Sequence, residues 1–533
     1  MSSRVATTEV TMPLPDGARL LTEVTAPDDG ERHPVLLIRT PYGRAFLRWI
    51  HDPISIAREG WAVVLQDVRG RNGSDGDFDA MFQEAADGKA AVDWCASQPW
   101  SDGTVAMAGG SYQGFTQWAA ALERPKALRA IAPAITTPFI GEGRLRQGGA
   151  FRVGSWALWG LLLASGGTGG SRAAERRAGK AVAHWRELVS HPTNVDAISL
   201  VVPAFRGWLE ADRTLLASPR AAQLARIEVA GYHLGGWHDP YCEGTIAGYT
   251  ALAHGARSDA VRRAQRLVVG PWSHMPQFVQ FVGELDFGPD ANATARGIPQ
   301  EQLTFLRDAA AGREVKTGAS IFVMGRNRWL ELETWPPPAR ELPLFLGADA
   351  PSNSLHGGGR LLTSPPERSG ADHFRHDPSD PVPTRGGRNL LGGLPPAGPV
   401  DQRPVEARDD VLVYTSEPLR ASITAIGVVR AQIRFASSAT QTDVTVKLVD
   451  VHPDGRAFNV VDSVQRVELT PGRARRVEVV LGSTAMTFAR GHRIRIEIAS
   501  SNWPHLDCLA AADQTVHWGG RSGSRLLLPL YED

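Results

Sequence analysis

The chemistry in this chain starts at Ser111. It lies in the stretch Thr104-Val-Ala-Met-Ala-Gly-Gly-Ser-Tyr-Gln-Gly114, where an apolar run meets two glycines, then a serine, then helix-forming residues. A serine hydroxyl is a poor nucleophile until a neighbouring base takes its proton. A sharp strand-to-helix turn, the nucleophile elbow, lifts such a serine above a sheet, and only small residues fit beside it. The backbone N–H of the next residue, Tyr112, then points to where an oxyanion would form. One position departs from the general elbow. Two residues after the serine, where glycine is usual, stands Gln113, and glycine follows at Gly114.

An elbow needs a base and an acid to orient it, expected in the order Ser, Asp, His with each just beyond a strand. Two segments fit. Ile227–Ala230 leads into Gly235-Gly-Trp-His-Asp239, and Arg266–Val269 leads into Gly270-Pro-Trp-Ser-His274. His274 would take the Ser111 proton and return it to the leaving group, while Asp239 would fix the imidazole tautomer. His238 is the rival base, but it adjoins Asp239 and cannot easily face it.

These residues need a frame. Val35–Ile38, Ala62–Leu65, Thr104–Ala108 and Ala130–Ala132 are short apolar runs separated by helical stretches, Glu84–Ser97 (with Ala86, Ala90 and Trp94 as inward residues) and Phe115–Leu122. That alternation predicts βαβ units and a mostly parallel sheet. From Thr137 to about Leu224 the chain is rich in Ala, Arg, Leu and Trp and reads as a helical insertion. After Gly318 come Gly/Pro-rich loops and period-two runs such as Val444-Thr-Val-Lys-Leu448 and Ile494-Arg-Ile-Glu-Ile498, the mark of antiparallel strands with one buried face. The expected architecture is an α/β-hydrolase fold with a helical cap and a C-terminal jelly-roll β-sandwich. The expected division is core 1–137, cap 138–224, core 225–317 and sandwich 318–533.

Bulk properties narrow the function. Of 533 residues 42% are hydrophobic and 21% charged, and 57 basic residues balance 57 acidic ones. No basic excess points to nucleic acid. Cys95, Cys242 and Cys508 fit neither a zinc motif nor a disulfide framework and predict reduced thiols in a cytoplasmic protein. Met1–Asp16 is polar, broken by Pro13 and Pro15, and unlike a secretory signal. The most apolar segment, Trp156–Ala164, is too short to span a membrane, which takes about 20 residues.

With these segments in hand, the chain resembles the cocaine-esterase-like hydrolases, relatives of X-Pro dipeptidyl-peptidases and α-amino acid ester hydrolases. Matching stretches are Thr40-Pro-Tyr-Gly43, Gln66-Asp-Val-Arg-Gly70 with Gly73-Ser-Asp-Gly-Asp-Phe78, Pro99-Trp-Ser-Asp-Gly103, Gly109-x-Ser-Tyr-x-Gly114, Gly236-Trp-His-Asp239, Gly270-Pro-Trp-Ser-His274, and Gly325–Pro337 with Trp329 and Trp335. The family's own elbow accounts for Gln113. The resemblance implies a tyrosine hydroxyl as second oxyanion donor, and places it on Tyr42.

The same resemblance bears on substrate. Relatives acting on α-amino esters hold the ammonium with carboxylates, part of the set lying two and three residues after the triad aspartate. Here those positions are Tyr241 and Cys242, with Glu243 one further on. This argues against a free-amine substrate and against dipeptidyl-peptidase activity. Phe151, Trp156, Trp159, Trp185 and Trp208 of the cap could supply an apolar acyl pocket, with Trp156 and Trp159 foremost. His356-Gly-Gly-Gly359 mimics an oxyanion motif but follows the elbow instead of preceding it. Asp75-x-Asp77-x-Asp79 lacks the glycine and glutamate of a calcium loop. No metal and no cofactor is expected. Arg172–Lys180 reads as a solvated helix face. The reading is therefore a serine hydrolase acting on a small-molecule ester through an acyl-enzyme. Amide cleavage or acyl transfer is an alternative within the same chemistry, and a non-catalytic binding protein one outside it. No nucleic-acid or membrane partner is expected, and a homo-oligomer is open.

Overall fold

The computed structural model describes residues 4–166, 172–202, 207–208, 218–275, 277–393, 395–520 and 522–532. Its first layer system is a ten-stranded sheet. The strands are β1 (Val5–Pro13), β2 (Arg19–Pro27), β3 (His33–Thr40), β4 (Ala62–Asp67), β5 (Ser101–Gly110), β6 (Leu128–Ala134), β7 (Ala230–His238), β8 (Gln265–Ser273), β9 (Gly318–Val323) and β10 (Arg328–Leu332). Their spatial order is β1-β2-β4-β3-β5-β6-β7-β8-β9-β10, parallel from β4 to β9 and antiparallel at both edges. Side chains alternate faces along each strand. Val35 and Leu37 of β3 therefore join one core, with Ala91, Val92 and Trp118. Leu36 and Ile38 join another, with Phe305 and Leu306. Covered on both faces, β4 and β8 bury every residue, which is why their centres, Ala62–Leu65 and Leu267–Val269, read as apolar runs without alternation.

Helices α1 (Arg44–His51), α2 (Pro53–Arg58), α3 (Glu84–Ser97) and α4 (Tyr112–Leu122) follow the early strands. Of the expected inward residues of α3, Ala90 and Trp94 pack half-buried against the core and Ala86 is exposed. The fully buried face is Glu84, Asp87, Gly88, Ala91, Val92 and Cys95. Two carboxylates can be buried there because each meets a guanidinium, Glu84 with Arg39 at 2.8 Å and Asp87 with Arg69 at 2.8 Å. The polar N-terminus forms β1, an antiparallel edge strand whose residues are mostly exposed, with Pro13 at its end. An edge strand with little burial carries no hydrophobic signature.

The cap contains α5 (Val153–Ala164), α6 (Arg172–Leu188) and α7 (Val195–Val201), together with a two-residue hairpin, Arg146–Gln147 against Ala150–Phe151. Arg172, Arg176, Arg177 and Lys180 of α6 are exposed. No helix of the described residues is long and apolar enough to cross a membrane. Two further helices, α8 (Cys242–Ala253) and α9 (Ile298–Ala310), return the chain to the core.

The ten-stranded sheet continues past residue 317, where the sequence reading closes it. β9 pairs with β8 and β10 with β9, because Ala319, Ile321 and Phe322 are needed to cover that end of the core. The first sandwich strand begins at Arg340. The sandwich comprises β11 (Arg340–Ala348), β12 (Gly359–Leu362), β13 (Gly370–His376), β14 (Leu412–Thr415), β15 (Ile423–Ser437), β16 (Gln441–Val451), β17 (Ala457–Glu468), β18 (Arg475–Phe488), β19 (Arg493–Ala499), β20 (Ala512–Trp518) and β21 (Arg525–Leu530). These form a C-terminal β-rich domain, with His356–Gly358 in a turn before β12. It is tied to the core by backbone: Met324 N–H donates to Ala485 O at 2.9 Å and Thr487 N–H to Met324 O at 2.8 Å.

Candidate active site

Ser111 sits between β5 and α4 with φ 57° and ψ −117°. A non-glycine residue there costs roughly 1–3 kcal/mol and persists only when its surroundings fix it. Its N–H donates to Ala134 O at 2.9 Å, and its carbonyl accepts from Phe115 N–H at 3.0 Å and the Thr136 hydroxyl at 2.8 Å. The displaced glycine follows from packing. A Cβ on Gly114 would lie 2.6 Å from Thr136 Cγ2, and one on Gly109 (φ 122°) would lie 2.6 Å from Gln113 Cβ and Oε1. Gln113 thus fills the space above Gly109, and His51 Nε2 holds its Oε1 at 3.0 Å.

Asp239 follows β7 and His274 follows β8, adjacent parallel strands. The expected strand Ile227–Ala230 lies just before the true one, which includes Gly235-Gly-Trp-His itself. Those glycines are in a strand because neighbours crowd it: a Cβ on Gly236 would meet Trp272 O at 2.3 Å. His274 Nδ1 lies 2.8 Å from Asp239 Oδ1, and His274 Nε2 lies 3.1 Å from Ser111 Oγ. The carboxylate, fully buried and also accepting from Tyr241 N–H at 3.2 Å, holds the proton on Nδ1 and leaves Nε2 to accept from the serine. His238 is buried elsewhere and lines another cavity.

Tyr112 is the first residue of α4, where helix N–H groups lack an intrahelical acceptor. Its ring is fixed separately: the hydroxyl accepts from Met81 N–H and donates to Glu84 Oε1, both at 2.9 Å. Glu84 in turn bonds Arg39, whose Nε donates to Gln66 Oε1 at 2.9 Å. Tyr42 is half-buried, but its hydroxyl end is enclosed. The Trp159 indole N–H donates to it at 3.0 Å, and it pairs with Ser111. Burial pushes the Tyr42 phenol up to about 12, despite the Trp159 bond, so it stays protonated and able to donate.

Two cavities meet at Ser111. One, about 260 Å³, is lined by Phe46, Ile50, His51, Gln113, Phe278 and Ile298. The other, about 30 Å³, is lined by Tyr42, Arg144, Trp156, Trp159, Tyr241 and Leu390. Trp159 stacks on Tyr112 (5.9 Å, 20°) and Trp156 meets Trp159 edge-on at 5.0 Å. Phe151, Trp185 and Trp208 belong to the cap core and line neither cavity.

Sequence reading missed Arg144. Its guanidinium lies 4.7 Å over Phe115 and 5.1 Å over Tyr241, and it donates to Thr136 Oγ1, Thr137 O and Phe139 O. Arg152 lies 5.8 Å over the same Tyr241 ring. Nothing in the sequence separates these from surface arginines; only the fold buries them. Glu243 is engaged away from Ser111, with Arg388 Nη1 at 2.8 Å and the Ser483 N–H and hydroxyl at 2.6 and 3.0 Å. Among the described residues, the one set with metal-ligand composition, Asp450, His452 and His492, lies in the sandwich.

The X-Pro dipeptidyl-peptidase S15 family matches residues 16–276, and the X-Pro dipeptidyl-peptidase C-terminal non-catalytic domain matches residues 314–516. Cocaine esterase of Rhodococcus sp. (strain MB1 Bresler) is 31% identical, over 98% of this chain and 98% of its own. Among solved structures, an α-amino acid ester hydrolase superposes with TM-score 0.75 at 23% identity, covering 99% of this chain and 97% of its own. An aminopeptidase from a marine sediment archaeon, Thaumarchaeota, superposes with TM-score 0.74 at 22% identity, covering 99% and 96%. These last two likenesses are of fold.

Proposed function

The chain belongs to the cocaine-esterase and X-Pro dipeptidyl-peptidase family of α/β-hydrolases, and from that premise we propose that it hydrolyses a carboxylic ester through an acyl-enzyme on Ser111. The observation that carries this reading is the buried relay Asp239–His274–Ser111, at 2.8 and 3.1 Å, ending beside the cavities. His274 Nε2 takes the Ser111 proton as Oγ attacks the carbonyl carbon, and Asp239 stabilises the imidazolium. The negative charge gathering on the carbonyl oxygen falls to the Tyr112 N–H and the Tyr42 hydroxyl. Collapse expels the alcohol, protonated by His274. Water then attacks the acyl carbonyl by the same route and releases the acid.

The acyl side disfavours an ammonium. Where a carboxylate cluster would be required stands Tyr241, flanked by the Arg144 and Arg152 guanidiniums, and a cation entering there would meet positive charge. Trp156 and Trp159 suit a neutral apolar or aromatic acyl group. The test is an assay of the protein and its Ser111→Ala variant on p-nitrophenyl esters of graded acyl length, with fluorophosphonate labelling. Turnover and labelling that vanish in the variant are expected. No labelling of Ser111 in the parent protein, or equal turnover in the variant, refutes the assignment.

A further inference from the structure

A third cavity, of about 290 Å³, lies between the hydrolase core and the sandwich, lined by His238, Phe287 and Met324 from one and Asp450, His452 and His492 from the other. Asp450 is near the end of β16 and buried. His452 is on the turn that follows, and His492 immediately precedes β19. Strand pairing fixes the three together: Asp450 is opposite Ile494 and Val451 opposite Arg493. His492 Nδ1 lies 2.9 Å from Asp450 Oδ1, and His452 Nε2 lies 3.4 Å from Asp450 Oδ2. The two rings are 4.4 Å apart.

Two neutral imidazoles donating to one carboxylate would account for this cluster without any ligand. Two further observations go beyond that. A tetrahedral ion with bonds of about 2.0–2.1 Å keeps its ligand atoms about 3.3 Å apart; the two histidine-to-carboxylate spacings, 2.9 and 3.4 Å, lie near that value, and one ligand atom from each of the three residues falls within 4.8 Å of the others. The second is His238. It is 1% exposed, and neither ring nitrogen has a hydrogen-bond partner. Buried polar groups are rarely left so, and this one faces the cavity that the three ligand residues share. Burial also holds its pKa down to about 3, so it presents a neutral imidazole able to accept a hydrogen bond from a bound water at one nitrogen and to donate one from the other.

We propose that Asp450, His452 and His492 bind a divalent transition-metal ion of the zinc type, whose remaining coordination faces the cavity lined by His238. Imidazole and carboxylate ligands suit zinc or cobalt better than calcium or magnesium, which prefer oxygen throughout. Binding moves each imidazole proton to the outer ring nitrogen, because the inner lone pair now serves the ion. A water on the ion gives His238 the partner it lacks. The site would pin the end of β16 and the segment 489–492 together beside His238, the last residue of β7.

The full-length protein, chelator-treated and desalted, is titrated with Zn²⁺ by calorimetry and with Co²⁺ by visible absorption. One equivalent of each is expected. His492→Ala and His452→Ala should each weaken binding at least about tenfold, with ester turnover retained as proof of folding. His274→Ala should leave binding unchanged, which separates this site from zinc captured at Ser111. If His492→Ala does not fold, His452→Ala, on the turn, carries the same readout. Absence of saturable one-to-one binding, or binding lost in His274→Ala and kept in the sandwich variants, overturns the proposal.

Discussion

Replacing Tyr42 with phenylalanine removes one oxygen and leaves the ring, which packs edge-on against Phe46 and Tyr112 at 5.8 and 6.5 Å. The hydroxyl is pushed up to about 12, so at pH 8 only about one molecule in ten thousand has lost the phenolic proton. One of its lone pairs accepts from Trp159 Nε1 at 3.0 Å, and its single proton is the group that can donate. A donor aimed at a forming oxyanion contributes about 2.7–4 kcal/mol, or about 10²–10³ in kcat, with little change in KM. Trp159→Phe keeps the donor and removes only the bond that orients it. One such neutral bond contributes about 0.5–1.5 kcal/mol, a loss of roughly 2- to 12-fold. Because the indole acts through the hydroxyl, the double variant should be no worse than Tyr42→Phe within about threefold. The assay is steady-state hydrolysis of a p-nitrophenyl ester, with thermal melting to confirm folding. A loss below about fivefold in Tyr42→Phe, or one confined to KM, refutes the assignment. Full additivity of the two refutes the orienting role of Trp159.

Asp239→Asn should lower kcat by about 10⁴ at nearly constant KM, since the amide favours the wrong His274 tautomer; kinetics with unchanged circular dichroism checks it, and a loss under tenfold contradicts it. Gly114→Ala should cost both stability and turnover, because its Cβ would lie 2.6 Å from Cγ2 of Thr136, whose hydroxyl donates to the Ser111 carbonyl; a melting temperature and kcat equal to the parent's would contradict this packing. His233 is fully buried, its Nε2 3.0 Å from Gln265 Oε1, and burial lowers its pKa to about 4. The unfolded chain binds this proton first, near 6.5, so the stability His233 contributes is present above that pH and is lost as pH falls towards 4, by about 3 kcal/mol. Urea melts of the protein and His233→Gln should therefore converge by that amount between pH 6.5 and 4, and parallel curves would contradict it.

The elbow was legible because its signal is local: strand, small residues, serine and helix lie within Thr104–Leu122. The relay was legible because chain order and strand ends constrain it, even though β7 begins at Ala230, where the expected strand ends. Two kinds of feature were not legible. Buried charges defeat periodicity, as in α3, where Glu84 and Asp87 face inward because Arg39 on β3 and Arg69 in the turn after β4 wait for them. Pocket walls assembled from afar leave no spacing to read, as with Arg144 over Tyr241 or Leu390 from beyond β11. The cluster at Asp450, His452 and His492 joins the end of one strand and the residue just past it to a third residue about forty positions away, which no short motif describes.

The cap leans on the last part of the chain. Trp503 Nε1 donates to Val189 O at 2.8 Å, Gly154 N–H to Pro504 O at 2.9 Å, and Phe151 N–H to Asp507 Oδ1 at 2.7 Å. Ser111, Asp239 and His274 are all polymerised before residue 275, yet the roof over them finds its supports only once residues 503–507 leave the ribosome. Domains tend to fold in the order they are made. During synthesis Ser111, Asp239 and His274 would therefore sit in a half-walled cleft, with the face of the cap that meets residues 503–507 uncovered, for more than two hundred further residues. That interval, set by connectivity and not by stability, is when the nascent chain would most need a chaperone, and slowing translation after residue 275 would lengthen it.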